Sequence, residues 1–424
     1  MKKIITWNDF YSLQRFGMTV GLDNIRLFCQ RLRNPQNSFP SVQIGGTNGK
    51  GTVAATLSSI LRQAGLTVGM YTSPHILRFG ERIQVNGEPI SDDEVFSFLN
   101  DHWNFIQDNH ITFFETATAL AFDTFKKQAV DLAVVEVGLG GTFDSTSILR
   151  PLLSIITRVD YDHQDRLGNN LEDIAKDKAG IFIAGGYSVI SRQERHVEDV
   201  FREAALEKGT KLLTSDDIVE LGDVSLRPEG ISGSARISFL SHEFELDQFQ
   251  FPLTGNFQIE NLKTALAAAG VLTDSYHQIT NTAISDGLIR VDWPGRLQQL
   301  STDPTVILDV GHNPGAVRAV TEAVKSIWKP KKVITIFSAV QGKDIAAMTS
   351  LLKRETDLGI LVPLPLPRGL PDSQLAEIAS DAGWDAVVKE DYSTALKLAE
   401  SSTSQDDLIL IIGSHYLAEE VLKK

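Results

Sequence analysis

The 424-residue chain contains a single cysteine, Cys29, and only four methionines. One thiol cannot form a disulfide within the chain, and sparse cysteine is usual for proteins of reducing compartments. The sequence also contains no run of 18 apolar residues, so it predicts no membrane-spanning helix. We therefore expect a cytoplasmic protein that has no membrane partner.

Basic residues are in the minority: 40 Lys and Arg stand against 54 Asp and Glu, and the net charge is −14. Such a surface argues against a nucleic-acid partner, although a local basic pocket could still bind phosphate groups. The composition is 42% hydrophobic and 22% charged, as in ordinary globular proteins. Because the chain is too long for one ordinary core, we expect two domains.

A glycine-rich loop at residues 45–52 is the most informative stretch. It reads GGTNGKGT and lies between an apolar strand pattern at 42–44 and a helical pattern at 53–61. Strand, glycine turn and helix together place backbone N–H groups and a helix N-terminus against phosphate oxygens. Lys50 would reach the β- and γ-phosphates of ATP, and Thr52 would face magnesium. The spacing departs from the common phosphate-loop pattern, so an ordinary turn is the alternative.

Polar side chains accompany three further predicted strands. The strand at 66–71 leads to Ser73, the strand at 131–137 contains Glu136, and the strand at 152–159 leads to His163. Ligands bind at the carboxyl ends of strands in open parallel sheets, so these groups would converge on the phosphate loop. Oxygen ligands with one histidine suit magnesium held between protein and ATP. Glu136 is the clearest indication, since a carboxylate within a buried strand is costly unless it is paired or bound to metal.

Three segments leave alternatives open from the residues alone. Residues 78–83 are interpreted as an exposed, charged loop. The pair Phe113 and Phe114, which precedes an apolar helix, fits either core packing or a pocket for a flat ring. Lys178 lies on a charged helix at 171–179, where a solvated lysine is the ordinary interpretation.

The second half of the chain predicts a flap and a new βα series. Residues 211–255 alternate short strands and turns, which is typical of an antiparallel flap, and a helix follows at 257–272. Strands at 306–309, 332–337, 359–362 and 408–412 then alternate with helical patterns. This series lacks a glycine fingerprint at its first turn, so we do not expect it to bind a dinucleotide. Asp309 and His312 stand at the end of its first strand.

The predicted fold class is therefore α/β, with a large phosphate-loop domain at 1–297 and a smaller Rossmann-like domain at 298–424. The large domain would have a mainly parallel sheet. A cleft between two such domains is a natural site for two substrates. Phosphoryl transfer to a carboxylate would use all these parts, because a closing domain shields an acyl phosphate from water until an amine attacks.

These motifs, in this order, resemble the folylpolyglutamate synthases and dihydrofolate synthases, relatives of the peptidoglycan Mur ligases. The matching segments are 46–52 (GTNGKGT), 72–75 (TSPH), 79–83 (FGERI), 136–141 (EVGLGG), 162–163 with 167–168, 178–181 (KAGI), 294–297 (PGRL), and 309 with 312–314.

The resemblance implies ATP-dependent addition of L-glutamate to the glutamyl tail of a folate through an acyl phosphate, with Mg²⁺ as cofactor. It implies ATP binding by Asn48, Gly49, Lys50, Gly51, Thr52, Asn261, Arg296 and Asp309. Ser73, Glu136, His163, Thr52 and a carbamylated Lys178 would hold metal, which replaces the solvated interpretation of that lysine. The implied catalytic groups are Lys50, His163, Lys178 and His312, and the implied folate contacts are Phe113, Phe114, Glu115 and Thr116. The family's ligases work as monomers, and we expect the same here.

The sequence also departs from the family, chiefly on the folate side. Thr142 stands where an arginine is common, and Ser147 where an asparagine is usual. These changes favour a polyglutamate synthase, and a bifunctional enzyme that also acts on dihydropteroate is the first alternative. Two further alternatives are a ligase with a non-folate acceptor and an ATP-binding regulator that has lost activity. The intact Lys50, Glu136, His163 and Lys178 argue against such a regulator.

Overall fold

The computed structural model describes residues 5–16, 21–366 and 368–423. Its strands form three sheets of eight, three and six strands. None of the helices in these ranges is both long and apolar enough to cross a membrane.

The largest sheet organises the first half of the chain. Its strand order is β4-β3-β2-β5-β1-β6-β7-β8. The five pairings that run from β2 to β8 in this order are parallel, whereas β3 and β4 add an antiparallel edge. The strands are β1 (Ser41–Gly45), β2 (Val68–Tyr71), β3 (Ile83–Val85), β4 (Glu88–Pro89), β5 (Leu132–Glu136), β6 (Leu153–Ile156), β7 (Tyr187–Ile190) and β8 (Lys211–Thr214).

Helices cover both faces of this sheet, which is why its central strands are buried throughout. They are α1 (Trp7–Ser12), α2 (Asp23–Arg31), α3 (Lys50–Gln63), α4 (Asp92–Asp108), α5 (Phe113–Lys127), α6 (Gln164–Leu167), α7 (Leu171–Lys178), α8 (Arg195–Lys208) and α9 (Ser215–Ile218). Ser91 caps α4 and Thr112 caps α5, each in a reciprocal capping box with the glutamate three residues later.

A three-stranded antiparallel sheet follows, which confirms an antiparallel flap, although residues 211–214 of the predicted segment belong to the large parallel sheet as β8. It consists of β9 (Val219–Arg227), β10 (Gly230–Phe239) and β11 (His242–Phe251), and two helices come after it, α10 (Asn256–Leu272) and α11 (Asn281–Ile289). Both helices pack on α3, in which every residue from Gly51 to Leu61 is buried. The helix that begins at the phosphate loop is therefore enclosed in the largest hydrophobic core of the described chain.

The third sheet belongs to the C-terminal α/β unit and has the order β12-β13-β17-β14-β15-β16. All its pairings are parallel except that of β12 with β13. The elements are β12 (Gln298–Thr302), β13 (Thr305–Leu308), α12 (Pro314–Ile327), β14 (Val333–Phe337), α13 (Ile345–Glu355), β15 (Leu358–Leu361), α14 (Asp372–Ala382), β16 (Ala386–Val388), α15 (Tyr392–Ser402), β17 (Leu408–Ile412) and α16 (His415–Leu422).

The structure confirms the predicted fold class, a mainly parallel sheet followed by a second α/β unit. The exact division after residue 297 stays a prediction, although β12 begins at the next residue. The interpretation of residues 78–83 as an exposed loop was wrong. Phe79–Arg82 forms a 3₁₀ turn in which Phe79 and Arg82 are buried, because both pack against the aromatic cluster of α1 and α5.

We predict that the thiol of Cys29 is inert in the native protein. The side chain is fully buried in α2, and burial raises its pKa to about 12, so little thiolate exists near pH 8. A thiol reagent such as Ellman's reagent should label no cysteine in the folded protein at pH 8 and one cysteine after unfolding in guanidinium chloride. Rapid labelling of the folded protein would contradict the packing of α2 described here.

Candidate functional site

A cleft of about 1300 Å³ lies where the carboxyl ends of the large sheet's parallel strands meet the C-terminal unit. Its walls are the phosphate loop, the segments that follow β2, β5 and β6, the first turn of α10, the linker around Arg296, and the start of α12. The first unit thus supplies most of the wall, and the second unit closes one side. Such a cleft can hold a nucleotide and a second substrate together.

The phosphate loop has the backbone that its glycines permit. Gly46 and Gly49 have positive φ angles of 135° and 94°. A side chain at Gly46 would collide with Thr157, and one at Gly49 would collide with Asn261. The N–H groups of Thr47 and Asn48 donate to the carbonyl oxygen of Arg158 at 2.9 and 3.1 Å. The loop is therefore fixed to the end of β6 before any phosphate binds.

Lys50, Glu136 and Ser73 come together at the floor of the cleft. Lys50 Nζ lies 3.8 Å from Glu136 Oε1, and it donates to the carbonyl oxygen of Thr47 at 3.1 Å. The backbone N–H of Ser73 donates to Glu136 Oε2 at 3.0 Å. Burial raises the pKa of Glu136, while the charge of Lys50 acts in the opposite direction. The carboxylate is thus held in place by partners that a bound cation could supplement or replace.

Lys178 is buried rather than solvated, although it lies on a charged helix. Its side chain is 4% exposed, and Nζ donates to the carbonyl oxygen of Gly46 in the phosphate loop at 2.9 Å. Burial, followed by the charge of Lys50, lowers the pKa of Lys178 to about 7. A neutral amine is therefore accessible at physiological pH, and a neutral amine is the form that reacts with carbon dioxide.

A second ionic group surrounds Asp162 and joins the two units. Lys343 Nζ, from the loop after β14, donates to Asp162 Oδ1 at 2.7 Å and lies 3.3 Å from His163 Nε2. His312 Nε2 lies 3.9 Å from Asp162 Oδ2. Burial alone would raise the pKa of Asp162, but Lys343 and the two histidines outweigh it and lower that pKa to about 2. His163 therefore lies beside Asp162 and Lys343.

Asp309 holds the linker between the units. Its carboxylate accepts from the backbone N–H of Leu297 at 2.9 Å and from that of Gly311 at 2.7 Å. Burial raises its pKa, and the charge of Arg296 opposes this shift. His312 is fixed by a 2.9 Å contact between Nδ1 and the carbonyl oxygen of Val310, and burial with Lys343 lowers its pKa to about 4. Its imidazole is consequently neutral near pH 7.

Two amides on the first turn of α10 face the phosphate loop. Asn261 Nδ2 donates to Gln258 Oε1 at 2.8 Å, and both side chains line the cleft. Gln258 is fully buried, and no group among the described residues accepts from its Nε2. A buried donor without a partner is costly, so a bound ligand with an acceptor would stabilise this position.

The predicted folate residues divide between cleft and core. Phe114 and Glu115 line the cleft, and the outer edge of the Phe114 ring lies so close to Gly138 that a side chain there would collide with it. Phe113 packs instead with Phe10 at 4.8 Å between ring centroids, and Thr116 is fully buried. Their predicted contact with folate stays a prediction.

The predicted metal ligands supply the oxygen chemistry that magnesium prefers. Among the described residues, no three His, Cys, Asp or Glu side chains are grouped as a metal site. Glu136 and the hydroxyl groups of Ser73 and Thr52 are nevertheless in the cleft wall beside the phosphate loop. The protein residues fit a cation whose coordination is completed by phosphate oxygens. Assignment of each ligand stays a prediction.

Sequence reasoning assigned no role to several charged or polar cleft residues. Arg82, Asp162 and His415 line the cleft, and Lys343 bonds across it. Two of them had a signal in the sequence. Asp162 directly precedes the predicted ligand His163, and Arg82 lies in the segment 79–83 that resembles the family. Lys343 carried no local signal that distinguished it from a surface lysine.

Comparisons with known proteins agree along the whole chain. The family described as Mur ligase middle domain matches residues 44–269, and the Mur ligase glutamate ligase domain matches residues 295–415. A dihydrofolate synthase/folylpolyglutamate synthase of Bacillus subtilis is 32% identical over 97% of this chain and 96% of its own length.

Solved structures also match this chain over nearly its whole length. The Mycobacterium tuberculosis folylpolyglutamate synthase complexed with ADP and AMPPCP superimposes with a TM-score of 0.87 at 27% identity, over 95% of each chain. A bifunctional folylpolyglutamate synthase/dihydrofolate synthase with Mn, AMPPNP and L-glutamate bound gives 0.83 at 29% identity, over 98% of this chain and 97% of the other.

We predict that Gly49→Ala abolishes high-affinity nucleotide binding. The new methyl group would displace Asn261 and distort the phosphate loop, so affinity for an ATP analogue should fall at least about tenfold, as expected for loss of more than one hydrogen bond. Isothermal titration calorimetry measures this directly.

Gly65→Ala is the matched control. Gly65 also has a positive φ angle, 83°, but a methyl group there meets nothing within 4 Å. Both variants should lose roughly 1–2 kcal/mol of stability from backbone strain, and only Gly49→Ala should lose nucleotide binding. Equal affinities for the two variants would contradict the described loop geometry.

Proposed function

Since the chain belongs to the dihydrofolate synthase/folylpolyglutamate synthase family of Mur ligases, we propose that it adds L-glutamate to a folate at the expense of ATP. The observation that carries the proposal is the joint placement of a phosphate loop, Lys50, Glu136 and Lys178 in one cleft that a second unit closes. Simple ATP hydrolysis would not need the second unit.

The reaction proceeds in two balanced steps. A carboxylate oxygen of the folate's glutamyl tail attacks the γ-phosphorus of ATP, the bond to the β-phosphate oxygen breaks, and ADP leaves. The α-amino group of the incoming glutamate then attacks the acyl carbon, phosphate leaves with the bonding electron pair, and the nitrogen loses a proton. The products are an amide, ADP and phosphate.

The phosphate loop and Lys50 stabilise charge during the first step. The N–H groups at the N-terminus of α3 would face the phosphates, and Lys50 would add a full positive charge beside them. Asn261, Arg296 and Asp309 complete the nucleotide side, and Gln258 offers its unpartnered Nε2 to an acceptor on the nucleotide. His312, whose imidazole is neutral near pH 7, would approach the phosphates.

Ser73, Glu136, Thr52 and His163 would hold Mg²⁺, with Lys178 as a further ligand. The cation would neutralise the phosphates and the carboxylate of Glu136, which otherwise repel each other. Lys178 becomes a ligand only after carbamylation, which converts an amine into a carboxylate-like group. Its burial and lowered pKa favour that conversion.

The acceptor side has an aromatic wall and positive charge. Phe114 offers a flat ring surface, and Glu115 lies next to it. Arg82 lines the same cleft and would complement the carboxylates of folate and glutamate. We further propose that the protein is a cytoplasmic monomer whose substrates are folate, L-glutamate and ATP, with no nucleic-acid partner.

A bifunctional enzyme that also acts on dihydropteroate is the second candidate. The name of the Bacillus subtilis relative includes both activities. The segment 142–147, where this chain departs from the common pattern, lies near Phe114 and Lys178, since Phe143 to Ser145 line the cleft and Thr142 bonds to the end of α7. Residue changes there alter the acceptor side and leave the nucleotide side intact.

ATP turnover tests the proposal against an inactive regulator. Release of ADP should require a folate and L-glutamate together. A regulator would bind ATP and show no increase in turnover when both are added. ADP release that depends on neither folate nor L-glutamate would indicate a hydrolase and contradict the proposal.

We predict that Lys50→Ala lowers kcat at least about 100-fold, because a preorganised charge at the transferred phosphoryl group is lost. Steady-state ADP release with saturating folate and glutamate is the measurement. Lys127→Ala removes a lysine that is paired with Asp123 on the surface and should leave turnover unchanged. If Lys50→Ala keeps more than about a tenth of the wild-type kcat, Lys50 does not have the proposed catalytic role.

Lys178→Ala should reduce turnover as strongly, and a short-chain carboxylic acid should restore part of it. The added acid would occupy the space of the carbamate and supply its oxygen atoms. The measurement is ADP release as a function of acetate or propionate concentration, with Lys50→Ala as the variant that no acid should rescue. Full activity of Lys178→Ala without added acid would contradict the carbamate.

A further inference from the structure

A pair of side-chain amides joins the phosphate loop to the C-terminal unit. Asn313 Nδ2 donates to Asn48 Oδ1 at 2.9 Å, and Asn48 Nδ2 donates to Asn313 Oδ1 at 3.3 Å. Neither amide can turn over without placing like atoms against each other. The two side chains therefore orient one another across the boundary between the units.

Asn313 is the fixed member of this pair. It is the N-cap of α12, where its Oδ1 also accepts from the backbone N–H of Ala316 at 2.9 Å, and its side chain is only 2% exposed. The backbone of Asn48 is held by its N–H bond to the carbonyl oxygen of Arg158, and the Asn48 side chain bonds to Asn313. Asn313, which α12 holds in place, therefore orients the side chain of Asn48 in the loop.

A second contact acts in the same direction. Thr47 Oγ1 donates to the carbonyl oxygen of Asp160 at 3.0 Å and accepts from its N–H at 3.1 Å. The carboxylate of Asp160 lies so close to Gly315, on the first turn of α12, that a side chain at Gly315 would collide with it. Two consecutive loop residues therefore rest on α12, Asn48 directly and Thr47 through Asp160.

We propose that Asn313 is a positioning residue for nucleotide binding: through Asn48 it holds the phosphate loop in the shape that accepts ATP. The C-terminal unit then contributes to ATP affinity without touching the phosphates through this side chain. The inference rests on the proposed function only in naming ATP as the nucleotide.

Asn313→Ser separates the two roles of the side chain. Serine is a good helix N-cap and neutral, but it is too short to reach Asn48. Affinity for AMPPNP, measured by isothermal titration calorimetry, should fall about fivefold to tenfold, which corresponds to loss of one or two neutral hydrogen bonds. The KM for ATP should rise by a similar factor, with little change in kcat, and the melting temperature without nucleotide should stay the same.

Asn170→Ser is the matched control. Asn170 is the N-cap of α7, where its Oδ1 accepts from the N–H of Asp173 at 2.7 Å, and it lies outside the cleft wall. The same substitution there should leave AMPPNP affinity unchanged. Asn48→Ser combined with Asn313→Ser should bind no more weakly than Asn48→Ser alone, because the two amides act as one unit.

Wild-type affinity in Asn313→Ser, or additive losses in the double variant, would overturn the inference. So would an equal loss in Asn170→Ser. If Asn313→Ser does not fold, Asn313→Thr, which is also a neutral cap, takes its place in the same titration. Failure of wild-type protein to bind AMPPNP would overturn the proposed function as well, whereas normal binding with no folate-dependent turnover would overturn that function alone.

Discussion

The site depends on a lysine and a glutamate held close together at the carboxyl edge of a buried parallel sheet. Lys50 begins α3, Glu136 ends β5, and their charged groups lie 3.8 Å apart. A carboxylate so deeply buried needs a positive partner, and so do the phosphates of a nucleotide that enters the loop. Added cationic charge satisfies both, which is why a divalent cation belongs to this arrangement. The enclosure of α3 by α10 and α11 keeps the lysine in place.

The C-terminal unit contributes an ion pair and a hydrogen bond to the same cleft. Lys343 neutralises Asp162 across the cleft, and Asn313 bonds to the phosphate loop. Because both contacts join the units near the phosphates, the nucleotide side and the closing domain are mechanically connected. An enzyme that must protect an acyl phosphate from water benefits from such a connection.

The sequence revealed most of the fold because its signals were local. The phosphate loop and the apolar strands all lie in short segments. Partners that come from distant segments gave no such signal: Lys343 meets Asp162 only in the folded chain. The residues alone predicted a solvated Lys178, because most of its charged neighbours on α7 are exposed and nothing local distinguishes the one charged residue that is buried. The resemblance to a family corrected that interpretation, and its burial agrees.

The mass of the reaction product tests the account most directly. The protein would be incubated with ATP, magnesium and L-glutamate, together with a reduced folate in one sample and dihydropteroate in another. The account predicts that the reduced folate gains glutamyl residues, and a gain by dihydropteroate as well would identify the bifunctional enzyme. If neither acceptor gains a glutamyl residue while ATP still binds, the ligase assignment is contradicted.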